Sequence, residues 1–427
     1  MSWFSVQNPN AIQGPNIFPA TSYHTGFGAL SEKDTSWACS KDGFRGETQI
    51  WYTVLEDGSL VLIQLIWSYT GVFIIPAGVQ MTFKYYNPKT KRQIWRSLNA
   101  SGFKPDGRSC KSNEFEVKHT GSPKTEETYT ITASLDKTVQ ISVVFTKPAS
   151  APGFKLGPGE EGGYTSIGKE QDPAKRDGFV IHRFFPLGFT SGTFIVDGEI
   201  IDAKGDAMFV GAIQGMRPNL IASRWSFAFF TSGGGKEKSK LGDVRAIQME
   251  FETTDDHGPL GSKSGRTKVN LGTVYCSKTD PVPLFVTGQT HVDSAVGADK
   301  GTGFPVISDD VSRATQLSPI VDKETGYVVP GGIKFEWESE RRDGKGRGGA
   351  TVTVEKEGAV QGEGGLIEKV DFLKEVPYVL RKTLTAVTGL KPYIYQYHNE
   401  ATLEVQLGEE VVPVQGWLFN EASFVSE

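Results

Sequence analysis

The sequence has few cysteines and histidines, and both are scattered. Its three cysteines, Cys39, Cys110 and Cys276, are odd in number and show no C-x-x-C spacing. This pattern argues against a disulfide framework and a zinc site and fits a reducing compartment, so we expect a cytoplasmic protein. The six histidines lie far apart, and G-x-S-x-G, H-E-x-x-H and dinucleotide-binding motifs are missing. We therefore expect no metal and no cofactor.

The chain also lacks an excess of charge and a long apolar run. Among 427 residues, 45 Lys and Arg stand against 50 Asp and Glu, so nothing attracts a polyanion and nucleic acid is not an expected partner. No apolar run approaches the ~20 residues of a membrane span. The amino terminus has no basic start followed by an apolar block. We expect neither a secretory signal nor a stable membrane anchor.

What the sequence has in abundance is alternation with a period of two. Typical runs are "ETQIWYTVLE", "SLVLIQLIWSY", "TVQISVVFT", "GFVIHRFF" and "ATLEVQL", separated by Gly, Pro, Asp and Ser. Strands at this spacing predict barrels or sandwiches rather than alternating β–α units. The length favours two units. The segment 147–178, rich in Gly, Pro and charge, is the expected connection between them.

One segment predicts a helix. In "DFLKEVPYVLRKTLTAVTGLKP", which begins at Asp371, Pro377 suits a first helical turn. Leu380, Leu384 and Val387 then recur at i, i+4 and i+7. Gly389 and the following proline end the pattern. We expect one long helix in the C-terminal half, packed against a set of strands.

Tyrosines on one strand are candidates for a ligand site. Tyr393, Tyr395 and Tyr397 alternate with polar and aliphatic residues, among them Gln396, so one face of the strand carries three phenols. Core packing with hydroxyls at the rim and a ligand-lining role explain this face equally well. Alternation leaves Gln396 as the candidate if the other face points inward.

Two further aromatic stretches raise the same choice between core and cavity wall. After Arg224, the aromatic side chains Trp225 and Phe227 fall on the face opposite to that arginine. Trp67 and Tyr69 end an apolar strand in the first half. Taken together, the aromatic stretches predict a large apolar cavity with a few polar tips, as small-molecule sites have. They do not decide which strand faces line it.

Five stretches resemble the fungal survival-factor proteins. They are "APGFKLG", "HRFFP", "GAIQGMRPNLIASRWSFAFF", "VDFLKEVPYVLRKTLTAVTGLKPYIYQY" and "FNEASFVS". The resemblance implies a mostly β fold of two tandem lipocalin-like (calycin) β-barrel or sandwich domains, with the long helix in the second. The first domain would span residues 30–168 and the second 169–427, after an N-terminal extension over 1–29.

The sequence departs from the family pattern in two places. Typical members begin with an amphipathic helix that adsorbs to membranes and serves the movement of sphingolipid-like cargo. Here the amino terminus carries Pro, Asn and Gly without an apolar stripe. In the second place His182 is kept, whereas the tryptophan of the family is replaced by Phe185. These departures indicate a carrier that has lost its membrane-binding helix and gained a more apolar entrance to its binding site.

Diverged relatives of this family include hetero-Diels–Alderases of tropolonic sesquiterpene biosynthesis, which join a polyketide-derived quinone methide to a humulene-type terpene. The resemblance therefore implies an enzyme, a cofactor-free pericyclase of fungal secondary metabolism. Proximity of two apolar reactants and one hydrogen bond to the heterodiene carbonyl would supply the catalysis. The alternative is an intracellular protein that binds and transfers a ceramide-like lipid.

Both hypotheses place a hydrophobic small molecule in the protein, and neither predicts an oligomeric state. The candidate donors to a substrate carbonyl are Tyr395, Gln396, His182 and Arg224. The candidate substrate-binding residues are Trp67, Tyr69, Trp225, Phe227, Phe185, Tyr393 and Tyr397.

Overall fold

The computed structural model describes residues 14–233, 239–261, 265–293, 303–358, 360, 362–371 and 392–425. Within these ranges the chain forms a 16-stranded sheet, a 10-stranded sheet and a two-stranded ribbon. Every strand pair in them is antiparallel. The prediction of a mostly β protein with two lipocalin-like, barrel-like units is confirmed.

The first sheet uses the strands up to residue 214. They are β1 (Ile17–Phe18), β2 (Phe27–Ala29), β3 (Phe44–Leu55), β4 (Leu60–Thr70), β5 (Gly78–Tyr86), β6 (Gln93–Ala100), β7 (Lys104–Asp106), β8 (Ser109–Lys111), β9 (Phe115–Gly121), β10 (Glu127–Ser134), β11 (Val139–Lys147), β12 (Phe154–Leu156), β13 (Tyr164–Ile167), β14 (Gly178–Val196), β15 (Glu199–Asp202) and β16 (Gly205–Gln214).

The second sheet follows from residue 222, with the ribbon β22–β23 outside it. The strands are β17 (Ala222–Thr231), β18 (Val244–Thr253), β19 (Arg266–Cys276), β20 (Phe285–Asp293), β21 (Val311–Leu317), β22 (Ile320–Val321), β23 (Val328–Val329), β24 (Gly332–Glu340), β25 (Arg347–Val354), β26 (Leu366–Asp371), β27 (Tyr393–Leu407) and β28 (Glu410–Phe424).

The helices in the described residues are short. They are α1 (Ala20–Tyr23), α2 (Glu32–Thr35) and α3 (Pro218–Ile221). Within the described ranges, no helix has the length and apolar character needed to cross a bilayer. The long helix predicted from Asp371 onward falls on residues 372–391, which lie outside the described residues, as do residues 1–13 of the N-terminal extension.

Alternation along the strands of the first sheet divides its side chains between two environments. The main path of the sheet runs β6-β5-β4-β3-β16-β14-β11-β10-β9-β8-β7. Trp51 of β3 points into the barrel-like interior, where it packs against Tyr129 and Phe209 at ring-centroid distances of 5.6 and 5.4 Å. Its neighbour Tyr52 points out of this interior. The same strands therefore supply an inner core and an outer surface.

The second sheet curls in the same way. Its order is β20-β19-β18-β17-β28-β27-β25-β24-β21. The two ends of that order meet, because the hydroxyls of Thr287 on β20 and Ser312 on β21 lie 3.0 Å apart. Inside, the indole N–H of Trp337 donates to the Ile247 carbonyl at 2.8 Å, so this bulky core residue leaves no polar group unsatisfied.

A third apolar core joins the two sheets. Tyr52 and Leu62 from the first sheet pack with Phe227 and Phe419 from the second. The Tyr52 ring lies 5.5 Å from the Phe227 ring and 5.4 Å from the Phe419 ring. The outer face of the first sheet is thus covered by the second. The domain limits at residues 168 and 169 stay a prediction, and β14 and β16 extend the first sheet to Gln214.

Candidate ligand-binding site

A cavity of about 310 Å³ lies between the two sheets, and we call it the inter-sheet cavity. The outward rows of β3, β4 and β5 form one wall, and β17, β27 and β28 form the other. Most of its surface is apolar. The apolar lining includes Ile50, Leu62, Ile66, Trp225, Phe227 and Ile394.

The two ends of the cavity differ in chemistry. At one end of the cavity the start of β3 lies beside the ends of β4 and β16. The pairing shows this, since Gly46 of β3 pairs with Ser68 of β4 and with Gln214 of β16. Phe44, Gly46 and Ser68 line this end and are half-buried. We call it the mouth. The other end lies deeper in the interface and carries buried polar groups.

Three side chains build the polar end. The Lys84 ammonium donates to Gln396 Oε1 at 2.5 Å, and Gln396 Nε2 donates to Glu421 Oε1 at 2.6 Å. Gln396 and Glu421 line the cavity. Lys84 is fully buried behind them, 3.8 Å from Glu368 Oε2 and 5.5 Å from the centroid of the Trp95 ring. The chain of hydrogen bonds fixes the direction of the Gln396 amide and leaves Glu421 as an acceptor facing the cavity.

Burial shapes the charges of the polar end. It lowers the pKa of Lys84 to about 8, although Glu368 and Glu421 favour its charged form. Burial also raises the pKa of Glu421, against the hydrogen bond from Gln396 and the charge of Lys84. Burial therefore disfavours the charged form of both groups, while the charge of each favours that of the other. A ligand that donates a hydrogen bond to Glu421 meets a buried acceptor in a site of low polarity.

The chemistry available in this cavity is recognition of an amphiphile. An apolar wall accepts hydrocarbon, and the polar end accepts and donates hydrogen bonds. Gln64 and Thr82 add an amide and a hydroxyl to the lining. Among the described residues, no group of three or more His, Cys, Asp or Glu side chains is arranged to hold a metal ion.

The structure brings three of the sequence-predicted residues together at this cavity. Trp225, Phe227 and Gln396 line it. His182 lies one layer behind, with its ring edge-on to Trp225 at 5.9 Å and stacked on Phe184 at 6.2 Å. Burial, with a smaller contribution from Arg183, lowers the pKa of His182 to about 3, so its imidazole is neutral at physiological pH.

The tyrosines of β27 face away from the cavity. The Tyr395 hydroxyl donates to Asp322 Oδ2 at 2.5 Å and lies 2.6 Å from Thr325 Oγ1. The Tyr397 hydroxyl donates to a backbone carbonyl at 3.3 Å, and Tyr393 packs in the same apolar cluster. The rings of all three, and the hydroxyls of Tyr395 and Tyr397, are occupied by structural contacts. The opposite face of the strand, with Gln396, is the one that lines the cavity.

The remaining predicted residues lie elsewhere. Trp67, Tyr69 and Phe185 are buried in the interior of the first sheet. Arg224 stacks over the Phe424 ring at 5.4 Å and lines a separate, polar cavity with Glu250.

Sequence reasoning missed Lys84, Glu421 and Gln64. Each is a polar residue inside an apolar strand, in "MTFKYY", "WLFNEASF" and "LVLIQLIW". A buried polar residue is more informative than a buried apolar one, because it must find a partner. That signal was present in the sequence.

Besides the polar cavity at Arg224, which measures about 450 Å³, two other cavities are larger than the inter-sheet cavity and differ from it in character. One of about 540 Å³ is bordered mainly by polar side chains of β8–β11. The other, of about 470 Å³, lies where Asp34 pairs with Lys155 at 2.9 Å and with Arg183 at 2.8 Å. Neither offers a continuous apolar wall. The inter-sheet cavity is therefore the best candidate for a hydrophobic ligand.

Comparison with known proteins places the chain in a family. The model of the Svf1 family matches residues 5–426. The chain belongs to the Svf1 family. The ceramide-binding protein svf-1 of Neurospora crassa is 29% identical over 99% of this chain and 95% of its own. The ceramide-binding protein svf1 of Schizosaccharomyces pombe is 27% identical over the same shares. The predicted resemblance to the survival-factor family is confirmed.

Solved structures support the fold alone. The protein described as AttH from Nitrosomonas europaea matches with a TM-score of 0.51 at 11% identity, covering 92% of this chain and 96% of that one. Kievitone hydratase from Nectria haematococca matches with a TM-score of 0.50 at 10% identity, covering 97% and 98%. At such identities an activity does not carry over from the fold.

The prediction of a hetero-Diels–Alderase, and of an enzyme, is wrong. Svf1 relatives that match 99% of this chain are named as ceramide-binding proteins. The enzymatic interpretation rested partly on a more apolar mouth at His182 and Phe185. Phe185 instead packs inside the first sheet against Phe209 at 5.3 Å, so its replacement of tryptophan changes a core and not the cavity.

Proposed function

We propose that this protein binds a ceramide-type lipid in the inter-sheet cavity. The observation that carries the proposal is a single apolar space with hydrogen-bonding side chains, Gln396 and Glu421, gathered at its deep end. The names of the Svf1 relatives support the class of ligand. A lipid with an amide and hydroxyls at one end and hydrocarbon at the other matches both regions.

The polar end suits the head of such a lipid. Glu421 accepts a hydrogen bond from a hydroxyl or an amide N–H, and Gln64 and Thr82 offer further donors and acceptors. Each such bond contributes about 0.5–1.5 kcal/mol, and more when the acceptor is charged. Lys84 acts through Gln396, which it holds in place, and is a positioning residue.

The apolar wall suits the hydrocarbon chains. Each methylene removed from water contributes about 0.8 kcal/mol, so a few of them outweigh any single hydrogen bond. A volume of about 310 Å³ is at the lower end of the range of ~300–1,000 Å³ for small-molecule sites. We infer that the head and the first part of the chains occupy the cavity, while the rest of the chains extends through the mouth.

The test is a direct binding measurement. Purified protein is titrated with a fluorescent ceramide, and a diacylglycerol of equal chain length serves as the control because it lacks the amide. We expect saturable binding of ceramide and at least about tenfold weaker binding of the control, the equivalent of one lost hydrogen bond of about 1.4 kcal/mol. Equal affinity for the two lipids, or binding of neither, contradicts the proposal.

A further inference from the structure

An exposed apolar loop joins β4 and β5 over residues 71–77, and we call it the apolar loop. Phe73 is 96% exposed and Ile74 is 86% exposed, while Val72 is 36% exposed. Single apolar residues on a surface are normal, but three in succession at one tip, two of them almost fully exposed, are not. The apolar surface of such a tip is unfavourably exposed to water, and binding to an apolar partner would bury it.

The loop is shaped by local contacts. The Ile75 N–H donates to the Val72 carbonyl at 2.9 Å, which closes a turn around Phe73 and Ile74. Gly71 begins the loop with φ +80°, and a Cβ there would lie 3.0 Å from the Phe44 nitrogen. Glycine is required at this point because of both the backbone angle and the space. The two exposed side chains are therefore held out by a defined turn.

The sequence around the loop carries no charge. No Asp, Glu, Lys or Arg occurs from residue 58 to residue 83. Exposed hairpin tips of soluble proteins normally carry polar or charged side chains, which keep edges and loops from associating. An uncharged apolar tip is suited to a hydrocarbon medium. Such a medium accepts apolar side chains without a pocket of complementary shape.

The loop lies at the mouth of the inter-sheet cavity. The residues on both sides of the loop line the cavity. Ser68 lies two residues before the end of β4 at Thr70, and Gln80 lies two residues after the start of β5. Pro218, the first residue of α3, lines the same end, and Leu220 of that helix is 48% exposed. The apolar loop and the exposed Leu220 are thus both close in the chain to residues that line the mouth.

We propose that the apolar loop is a membrane-contact element. Val72, Phe73 and Ile74 insert into the interfacial layer of a phospholipid bilayer, and this insertion brings the mouth of the cavity against the lipid. Apolar side chains on a polar scaffold bind the boundary between headgroups and acyl chains in proportion to the apolar area that they bury. The proposal concerns how the protein meets a membrane and does not depend on which lipid the cavity holds.

The first experiment is flotation with phosphatidylcholine vesicles, without added ligand. It compares the unsubstituted protein with the double variant Phe73→Ser, Ile74→Ser and with the control Ile200→Ser. Ile200 is 70% exposed on β15, which pairs with the far end of β14. We expect the partition onto vesicles to fall at least about hundredfold in the double variant, the lower bound for two fully buried large side chains, and to stay unchanged in the control. Unaltered flotation of the double variant, or no flotation of the unsubstituted protein, overturns the proposal.

The second experiment locates the loop. An environment-sensitive fluorophore is attached at Phe73→Cys or at Ile200→Cys, with labelling of Cys39, Cys110 and Cys276 measured on the unsubstituted protein. On vesicles, emission shifts to the blue at position 73 and not at position 200. No shift at position 73 overturns the proposal, as does a protein partner whose binding needs Phe73 while flotation does not. Ceramide binding by the double variant, measured separately, shows whether the cavity is intact.

Discussion

The interior of the first sheet and the inter-sheet cavity are built by the same strands, yet one is filled and the other is open. On β4, Ile63, Leu65 and Trp67 point inward and are almost completely buried. Leu62, Gln64 and Ile66 alternate with them, point outward and line the cavity. A strand with apolar side chains on both faces thus separates a closed core from a binding surface.

The filled side is closed by aromatic rings. Tyr129 stacks on Phe209 at 5.5 Å and lies edge-on to Trp51 at 5.6 Å, which occupies the centre of the barrel-like interior. A lipocalin-like fold therefore does not by itself place the ligand inside a barrel. Here the proposed site lies outside the first barrel, on the surface that it shares with the second.

Filling the open side should have the largest effect. Thr48 lines the cavity between its mouth and its deep end and is half-buried. Thr48→Trp places an indole in the path of the hydrocarbon. If it excludes about four methylenes, at about 0.8 kcal/mol each, ceramide affinity falls by roughly hundredfold. Fluorescence titration measures the loss.

The matched control at the same position is Thr48→Val, which keeps the volume and removes only the hydroxyl. It should bind ceramide within about threefold of the unsubstituted protein, since the loss of one neutral hydrogen bond costs as little as about 0.5 kcal/mol. Equal affinity for Thr48→Trp and Thr48→Val would place the lipid outside the inter-sheet cavity.

The two faces of the neighbouring strands β27 and β28 provide the next comparison. Glu421→Gln keeps the size of a cavity-lining side chain and replaces one carboxyl oxygen with an amide N–H. Because the remaining oxygen still accepts from Gln396, a ligand loses its acceptor. Because a hydrogen bond is worth about 0.5–1.5 kcal/mol and a buried donor left without a partner adds to the loss, affinity for ceramide should fall by about tenfold. The free energy of unfolding should fall as well, because Glu421 favours the charged form of the buried Lys84.

Tyr395→Phe is the control on the opposite face. It leaves Asp322 and Thr325 without the phenol hydroxyl that both contact. The free energy of unfolding should fall by about 1–3 kcal/mol while ceramide affinity is kept. Chemical denaturation and titration on one preparation separate the two effects. A Tyr395→Phe variant that is stable but binds weakly would return the tyrosine face to the site.

The strands, their alternation and the family could be predicted from the sequence, because period-two patterns and specific motifs are local. Which face of β27 lines the cavity could not be predicted from the sequence. Tyr395 and Gln396 alternate in the same way whichever side meets the first sheet, and the choice depends on the distant strands β4 and β5. Lys84 was overlooked for the same reason, since its partner Gln396 lies 312 residues away. In the sequence, long-range pairing of this kind is visible only as an isolated polar residue within an apolar strand.

The last comparison concerns the buried charge behind the polar end. Burial lowers the pKa of Lys84 to about 8 from an ordinary value of 10.5. Between these values the unfolded chain binds more protons than the folded one, so this residue makes the folded state more stable as pH rises from about 8 to 10.5. Below pH 8 both states are protonated and the full cost of burying the ammonium remains.

Lys84→Met keeps the length of the side chain and removes the titration. We therefore expect the free energy of unfolding of the unsubstituted protein to rise relative to that of Lys84→Met, by at most about 1.4 kcal/mol per pH unit. Denaturant titrations at pH 7, 8, 9 and 10 measure the difference, and Thr82→Val, on the same face of β5, controls for the loss of a polar group. A difference that stays constant over this range would mean that Lys84 titrates as it does in water, and that the polar end is open to solvent in the absence of a ligand.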